Sequence, residues 1–231
     1  MSARARALAS TCGDVELWAR GQGLTLLIGL DEAGRGPLAG PVVAAACALP
    51  DPCPVALAGL NDSKQLSEAQ REALFEPILA HALGVGLAVV EHDVIDDINI
   101  LRASLHGMAV AWDQLVSAAP HLRASTVLVD GKDRAPLPGD VDQRPLIKGD
   151  ARSLNIAAAS ILAKVARDRI MVLAHAEWPA YGFDRHKGYP TVAHRRAIAA
   201  HGPCPIHRRS FTLLAPADTE ASTEPRGQST P

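Results

Sequence analysis

Two adjacent carboxylates, Asp31 and Glu32, stand where the apolar run Leu26-Leu27-Ile28-Gly29-Leu30 gives way to Ala33-Gly34-Arg35-Gly36-Pro37-Leu38-Ala39-Gly40. Burying two carboxylates without cations is costly, so such a pair at the tip of an apolar strand points to a divalent metal or a catalytic proton. Neighbouring residues of a regular strand face opposite sides, so the two share a ligand only where the strand twists or breaks. Gly34 and Gly36 permit such a break. Arg35, held between them, would present its fork and the nearby backbone N–H groups to an anion such as phosphate. The alternative at this point is a solvated loop in which Arg35 is simply the counter-ion of the acids.

A second apolar run, Ser125 to Val129, also ends in a carboxylate and a glycine, Asp130-Gly131, and Asp150 follows a third short segment, Pro145-Leu146-Ile147-Lys148-Gly149. Acids gathered from separate strand ends are the composition of a site for hard cations. Two Mg²⁺ ions about 3.5 to 4 Å apart can activate a water and stabilise the leaving oxygen of a phosphodiester. Softer chemistry lacks its residues: Cys12, Cys47, Cys53 and Cys204 form no C-x-x-C pair, and His186, His194, His201 and His207 have no regular ligand spacing. Those histidines read as basic-surface or packing residues. Asp168 lies between Arg167 and Arg169 late in a long helix and reads as an ion-pair partner, behind Asp150 as a ligand. Together these residues point to metal-dependent phosphoryl transfer.

The elements that must carry these side chains alternate. A strand is predicted over about 24–31 and another over 41–48, joined by the glycine turn as an antiparallel hairpin. Ser67 with Glu68 and Gln70 marks a helix start of the capping-box type, running to Ala82, with Ser63 and Lys64 just before it where a phosphate could be met. Strand 84–91, a helix start at Asp93, Asp96 and Asp97, a helix from Asn99 to about Ser117, and strand 125–131 follow. A long Ala-rich helix covers about Ser153 to His175. A loop then carries His186-Lys187-Gly188-Tyr189, and Thr191 caps a last helix to about Ala200. Residues 1–23 read as a poorly ordered leader, 24–214 as one catalytic domain and 215–231 as a disordered tail. The fold class is α/β, a mixed sheet covered by helices, with sites at strand ends.

Composition narrows the choices. The chain has 231 residues, a formal net charge of −2 and 3% aromatic residues, so its core is aliphatic and bulk positive charge or aromatic stacking platforms are not its means of holding nucleic acid. Charge is nonetheless uneven: from Arg185 to Ala217 there is no acid, while Arg185, Lys187, Arg195, Arg196, Arg208 and Arg209 are cationic. That stretch reads equally as a solvated basic surface or a phosphate-binding face. Neither a signal-type h-region nor a membrane-length apolar segment is present, so a soluble cytoplasmic protein is expected, and a monomer is the default for this length.

From about Leu26 to Leu214 the chain resembles bacterial ribonuclease HII. The resemblance rests on Asp31-Glu32-Ala33-Gly34-Arg35-Gly36-Pro37-Leu38-Ala39-Gly40, Gly59-Leu60-Asn61-Asp62-Ser63-Lys64, Val129-Asp130-Gly131, Lys148-Gly149-Asp150, Ala157 to Lys164, and His186-Lys187-Gly188-Tyr189-Pro190-Thr191. It implies the RNase H-like fold: a five-stranded mixed sheet flanked by helices, with a C-terminal helical portion. It also implies cleavage of the RNA strand in RNA–DNA hybrids and at single ribonucleotides in duplex DNA, leaving 3′-hydroxyl and 5′-phosphate ends, as in replication and ribonucleotide excision repair. By the same resemblance Asp31, Glu32, Asp130 and Asp150 bind the metal, Mn²⁺ or Mg²⁺ as a two-ion site. Gly34, Arg35, Gly36 and Tyr189 meet the ribonucleotide junction, and Ser63, Lys64, Lys148 and Ser160 complete the substrate-binding set. A sliding clamp is left open as a partner.

Two other readings compete. Another carboxylate-dependent nuclease of the same fold, acting on structured DNA, would cut all-DNA duplex. A non-catalytic hybrid-binding module would tolerate Asp31→Asn.

Overall fold

The computed structural model describes residues 12–24 and 26–214. One sheet of five strands forms its centre: β1 (Leu27–Ala33), β2 (Val42–Ala48), β3 (Gly84–Val90), β4 (Thr126–Asp130) and β5 (Gln143–Leu146), in the order β3-β2-β1-β4-β5. β1, β2 and β3 pair antiparallel, whereas β1–β4 and β4–β5 are parallel. The expected hairpin is therefore present, although β1 runs two residues further than expected, so that both acids lie inside the strand.

Seven α-helices are described: α1 (Asp14–Gly21), α2 (Glu68–His81), α3 (His92–Ile98), α4 (Ile100–Ala118), α5 (Leu154–Glu177), α6 (Phe183–His186) and α7 (Val192–His201). β2 is buried along its whole length because both faces are covered. One face packs Ala44, Ala46 and Leu30 against Met108, Trp112 and Leu115 of α4. The other packs Val43, Ala45 and Cys47 against Ala158, Ala159 and Leu162 of α5 and Phe75 and Ile78 of α2. Small residues let α5 lie directly on the sheet: a Cβ at Gly29 would stand 2.2 Å from the backbone of Asn155. Among the described residues no helix is long and apolar enough to cross a membrane.

Four expectations need amendment. Residues 14–21, read as part of a loose leader, are helix α1; its Val15 and Ala19 pack on Leu27, Leu128 and Ile156. Glu16 ties it down further, accepting hydrogen bonds from Ser153 Oγ at 2.6 Å and from the Asn155 side chain at 3.0 Å at the start of α5. The helix read from Asn99 is preceded by a separate one, α3, because Asn99 adopts φ 69 and caps α4 through Arg102 N–H. Asp96 is not a first-turn acid; its carboxylate accepts the Arg209 N–H at 2.7 Å and the Ser210 N–H at 2.9 Å. The fourth concerns the basic stretch: Arg208 is fully buried and Lys187 nearly so, and neither belongs to a solvated face. Residues 1–11 and the tail from 215 lie outside the described residues.

The capping box of α2 forms as expected, with Ser67 and Gln70 bonding reciprocally. Thr191 caps α7 through His194 N–H.

Candidate active site

Leu30 of β1 lies level with Val129 of β4 in a parallel pair, so the next residues, Asp31 and Asp130, stand side by side near the C-terminal ends of their strands. Glu32 follows Asp31 on the same strand, and its own N–H donates to Asp31 Oδ1 at 2.7 Å. All three acids line a cleft of about 350 Å³ together with Gly34, Arg35, Gly36, Ser63, Lys64, Arg71, Ser160, Lys164 and Tyr189. Asp150 reaches the same end of the sheet from the turn after β5. There Lys148 takes a left-handed backbone, φ 55, and the following Gly149 N–H donates to Asp130 Oδ1 at 2.7 Å.

The acids are held against their own repulsion. Burial first, then the charges of Glu32 and Asp130, push the Asp31 carboxyl well above the usual carboxylate range, against the opposing pull of the Ser160 hydroxyl. Burial raises Glu32, and Arg35 pulls it back. Burial and the charge of Asp150 raise Asp130, opposed by the Gly149 N–H. Two cations answer this charge: Arg35 Nη1 stands 3.3 Å from Glu32 Oε1 and Lys64 Nζ 2.8 Å from Asp150 Oδ2. Burial would lower the Lys64 ammonium, but Asp150 and Asp31 outweigh it and drive it upward. Among the described residues no three carboxylates converge on one point as a finished cage. They act on one another pairwise, with Arg35 and Lys64 occupying two of them.

The other expected residues divide. Ser63 and Ser160 are buried with their hydroxyls 2.8 Å apart, joining the loop before α2 to α5. Tyr189 is 39% exposed, with its ring 5.5 Å from Lys164 Nζ and opposite Gly36. Lys148 does not line the cleft; its side chain is exposed and its backbone makes the turn that aims Gly149 at Asp130. Asp168 pairs with Lys164 at 2.8 Å along one helix face, the role expected of it, although with a lysine rather than its flanking arginines.

Lys164 and Arg71 were missing from the expected set. Arg71 bonds the carbonyl of Ser63 at 2.8 Å and thereby shapes the loop that presents Ser63 and Lys64. Only the position of Arg71 one turn into α2, on the side of the preceding loop, hints at this in the sequence.

Acids at the ends of β1 and β4, in a mixed sheet of this strand order, define the class as an enzyme of the RNase H-like fold. The crystal structure of ribonuclease H2 from Pyrococcus horikoshii OT3 superposes with a TM-score of 0.62 at 28% identity, over 81% of this chain and 94% of that one. RNase HII of Archaeoglobus fulgidus, solved in a complex with PCNA, gives a TM-score of 0.60 at 25% identity over 82% and 96%. The Ribonuclease HII family profile matches residues 28–214, and ribonuclease HII of Geotalea daltonii is 51% identical over 193 residues, 84% of this chain and 85% of that protein. The chain belongs to the ribonuclease HII family. It is a type 2 ribonuclease H, an endoribonuclease that degrades RNA in RNA–DNA hybrids.

Proposed function

We propose that this enzyme also incises duplex DNA at single embedded ribonucleotides, by divalent-metal-dependent hydrolysis that leaves 3′-hydroxyl and 5′-phosphate ends. One observation carries this reading. The repelling acids Asp31, Glu32 and Asp130 share a cleft with the Gly34-Arg35-Gly36 turn and Tyr189.

The donor chemistry fits Mg²⁺ or Mn²⁺: every ligand offered is a hard carboxylate oxygen, and their mutual repulsion is what a cation relieves. Asp31, Glu32, Asp130 and Asp150 would hold it, with Arg35 and Lys64 giving up Glu32 and Asp150. Bound there, the metal supplies activation of a water and stabilisation of the leaving oxygen. The protein's own residues do the rest. Gly36 has no side chain to cover the ring of Tyr189, so a sugar has access to both the turn and the ring. The 2′-hydroxyl is the group that separates ribose from deoxyribose, and backbone N–H groups at the turn suit it. Lys64 and Lys164 offer positive charge to the phosphates on either side. Ser63 and Ser160 serve from beneath, orienting Asp31.

The catalytic unit is proposed to be monomeric and cytoplasmic, and to include α1 as well as residues 24–214. The PCNA complex of the archaeal relative supports a sliding clamp as a partner.

The deciding experiment compares an RNA–DNA hybrid, a duplex with one ribonucleotide and plain duplex DNA, each with Mg²⁺, Mn²⁺ and chelator. Cutting of the first two with metal alone is expected. Equal cutting of plain DNA, or cutting in chelator, would overturn the proposal.

A further inference from the structure

Two arginines, Arg167 and Arg208, lie buried behind the glycine turn, and among the described residues no carboxylate is bonded to either. Arg208 donates from Nη2 to the carbonyls of Gly34 at 2.7 Å and Pro41 at 3.1 Å, from Nη1 to Arg35 at 3.2 Å, and from Nε to Gly40 at 2.9 Å. Arg167, beside it, donates to the carbonyls of Pro41 at 2.9 Å, Lys187 at 3.0 Å and Ala39 at 3.2 Å. Arg208 is itself pinned: its N–H donates to the carbonyl of Leu38 at 2.8 Å, next to the bridge between Ala39 and His207.

A trans peptide points its carbonyl and the following N–H in opposite directions. With the carbonyls of Gly34 and Arg35 both turned inward onto Arg208, the N–H groups of Arg35 and Gly36 are turned outward. Arg35 and Gly36 are exposed and line the cleft, and among the described residues neither amide donates to a protein acceptor. A lone guanidinium fork therefore sets the direction of two free donors beside the acids.

We propose that Arg208, backed by Arg167, is the positioning residue that aims the Arg35 and Gly36 amides at the sugar-phosphate oxygens of a ribonucleotide junction. It touches no substrate and acts through the turn. This rests on the junction reading above. Burying two neighbouring cations is costly, and what the cost secures is a turn whose carbonyls face inward onto them. The charges also have a use: seen through a low-dielectric layer, they add positive potential at the turn where a phosphate would arrive.

The test is Arg208→Lys, which keeps the cation but cannot reach the carbonyls of Gly34, Arg35 and Gly40 together. The expected result is a fall of tenfold or more in kcat/KM on a duplex with one ribonucleotide, with less than threefold loss on a hybrid carrying a long RNA tract. A merely structural arginine would lower both together, and an equal loss or no loss overturns the inference. A wild-type enzyme that leaves the single ribonucleotide uncut overturns the substrate reading and the inference with it. Should the variant not fold, the amide resonances of Arg35 and Gly36 in the wild-type protein decide, recorded in EDTA. They are expected to move on adding the single-ribonucleotide duplex and to stay with plain DNA duplex; no movement, or the same movement with both, overturns the inference.

Discussion

Lys64 Nζ donates to Asp150 Oδ2 across 2.8 Å, so the cation of one loop holds the acid of another in place before any metal arrives. The lysine side chain is 77% exposed and the aspartate 5%, which makes the contact a lid on a buried charge rather than a deep ion pair. Such a pair is worth about 0.2–1 kcal/mol. Lys64→Gln removes a competitor and a like charge from the cation site. The Mg²⁺ midpoint for activity is therefore expected to fall by roughly two- to fivefold, while KM for substrate rises through loss of a phosphate contact. Calorimetric titration of Mg²⁺ checks the first effect; a higher midpoint would show that Lys64 helps metal binding.

Asp31 costs stability where it stands. Its folded pKa is raised by burial and by Glu32 and Asp130, so the folded protein binds a proton more tightly than the unfolded one. The stabilising contribution of protonation is present below the ordinary carboxylate value and is lost as pH rises through the raised value. At neutral pH the ionised group thus opposes folding. Asp31→Asn is expected to raise the melting temperature of the metal-free protein at pH 7 while abolishing cleavage. It is also expected to cancel the further rise that Mn²⁺ gives the wild type. A lower melting temperature at pH 7 would make Asp31 a structural acid.

His194 and His207 behave in the opposite sense. Their Nε2 atoms are 3.1 Å apart in the interior, and His194 Nδ1 is 2.9 Å from the carbonyl of Tyr189. Burial lowers both from 6.5 to about 4. Their contribution is complete above the unfolded value of 6.5 and is lost as pH falls toward about 4, because the unfolded chain takes up the protons first. Each contributes a slope of up to about 1.4 kcal/mol per pH unit in that window. Denaturant unfolding at pH 7, 6 and 5 is expected to show a shallower fall for His207→Gln than for the wild type. Identical slopes would mean that these histidines are protonated in the native protein.

Four strands were legible because each holds an apolar run between turn residues, and Asp31, Glu32 and Asp130 stood out as charge at the ends of such runs; β5 carries no such run, since its four residues are Gln143, Arg144, Pro145 and Leu146. The pairing of Ser67 with Gln70 was legible for the same local reason. Arg208 was not, because its acceptors are backbone carbonyls more than 160 positions away, and a carbonyl has no signature in sequence. An arginine beside Arg209 in an acid-free stretch looks solvated until the chain folds over it. Helix α1 was missed because it is short and its apolar contacts, Val15 and Ala19, make a single i, i+4 pair that becomes meaningful only against Leu27 and Ile156.

Gly34 joins the two halves of this picture. Its φ of 105 lies in the left-handed region, and a Cβ there would stand 2.1 Å from Arg167 Nε and 2.8 Å from the carbonyl of Pro41. Gly34→Ala therefore adds backbone strain to a collision with a side chain that cannot retreat, since Arg167 is tied to three carbonyls. A loss of about 2 kcal/mol or more in unfolding free energy is expected, together with loss of cleavage at single ribonucleotides. Gly36→Ala provides the contrast, because its nearest neighbour would be the ring of Tyr189 at an ordinary 3.6 Å. That variant is expected to fold with near-native stability yet to cut single ribonucleotides poorly, since the added methyl stands between the turn and the ring. Urea unfolding beside the cleavage assay separates the two; equal stability losses would mean that the turn is held by packing alone.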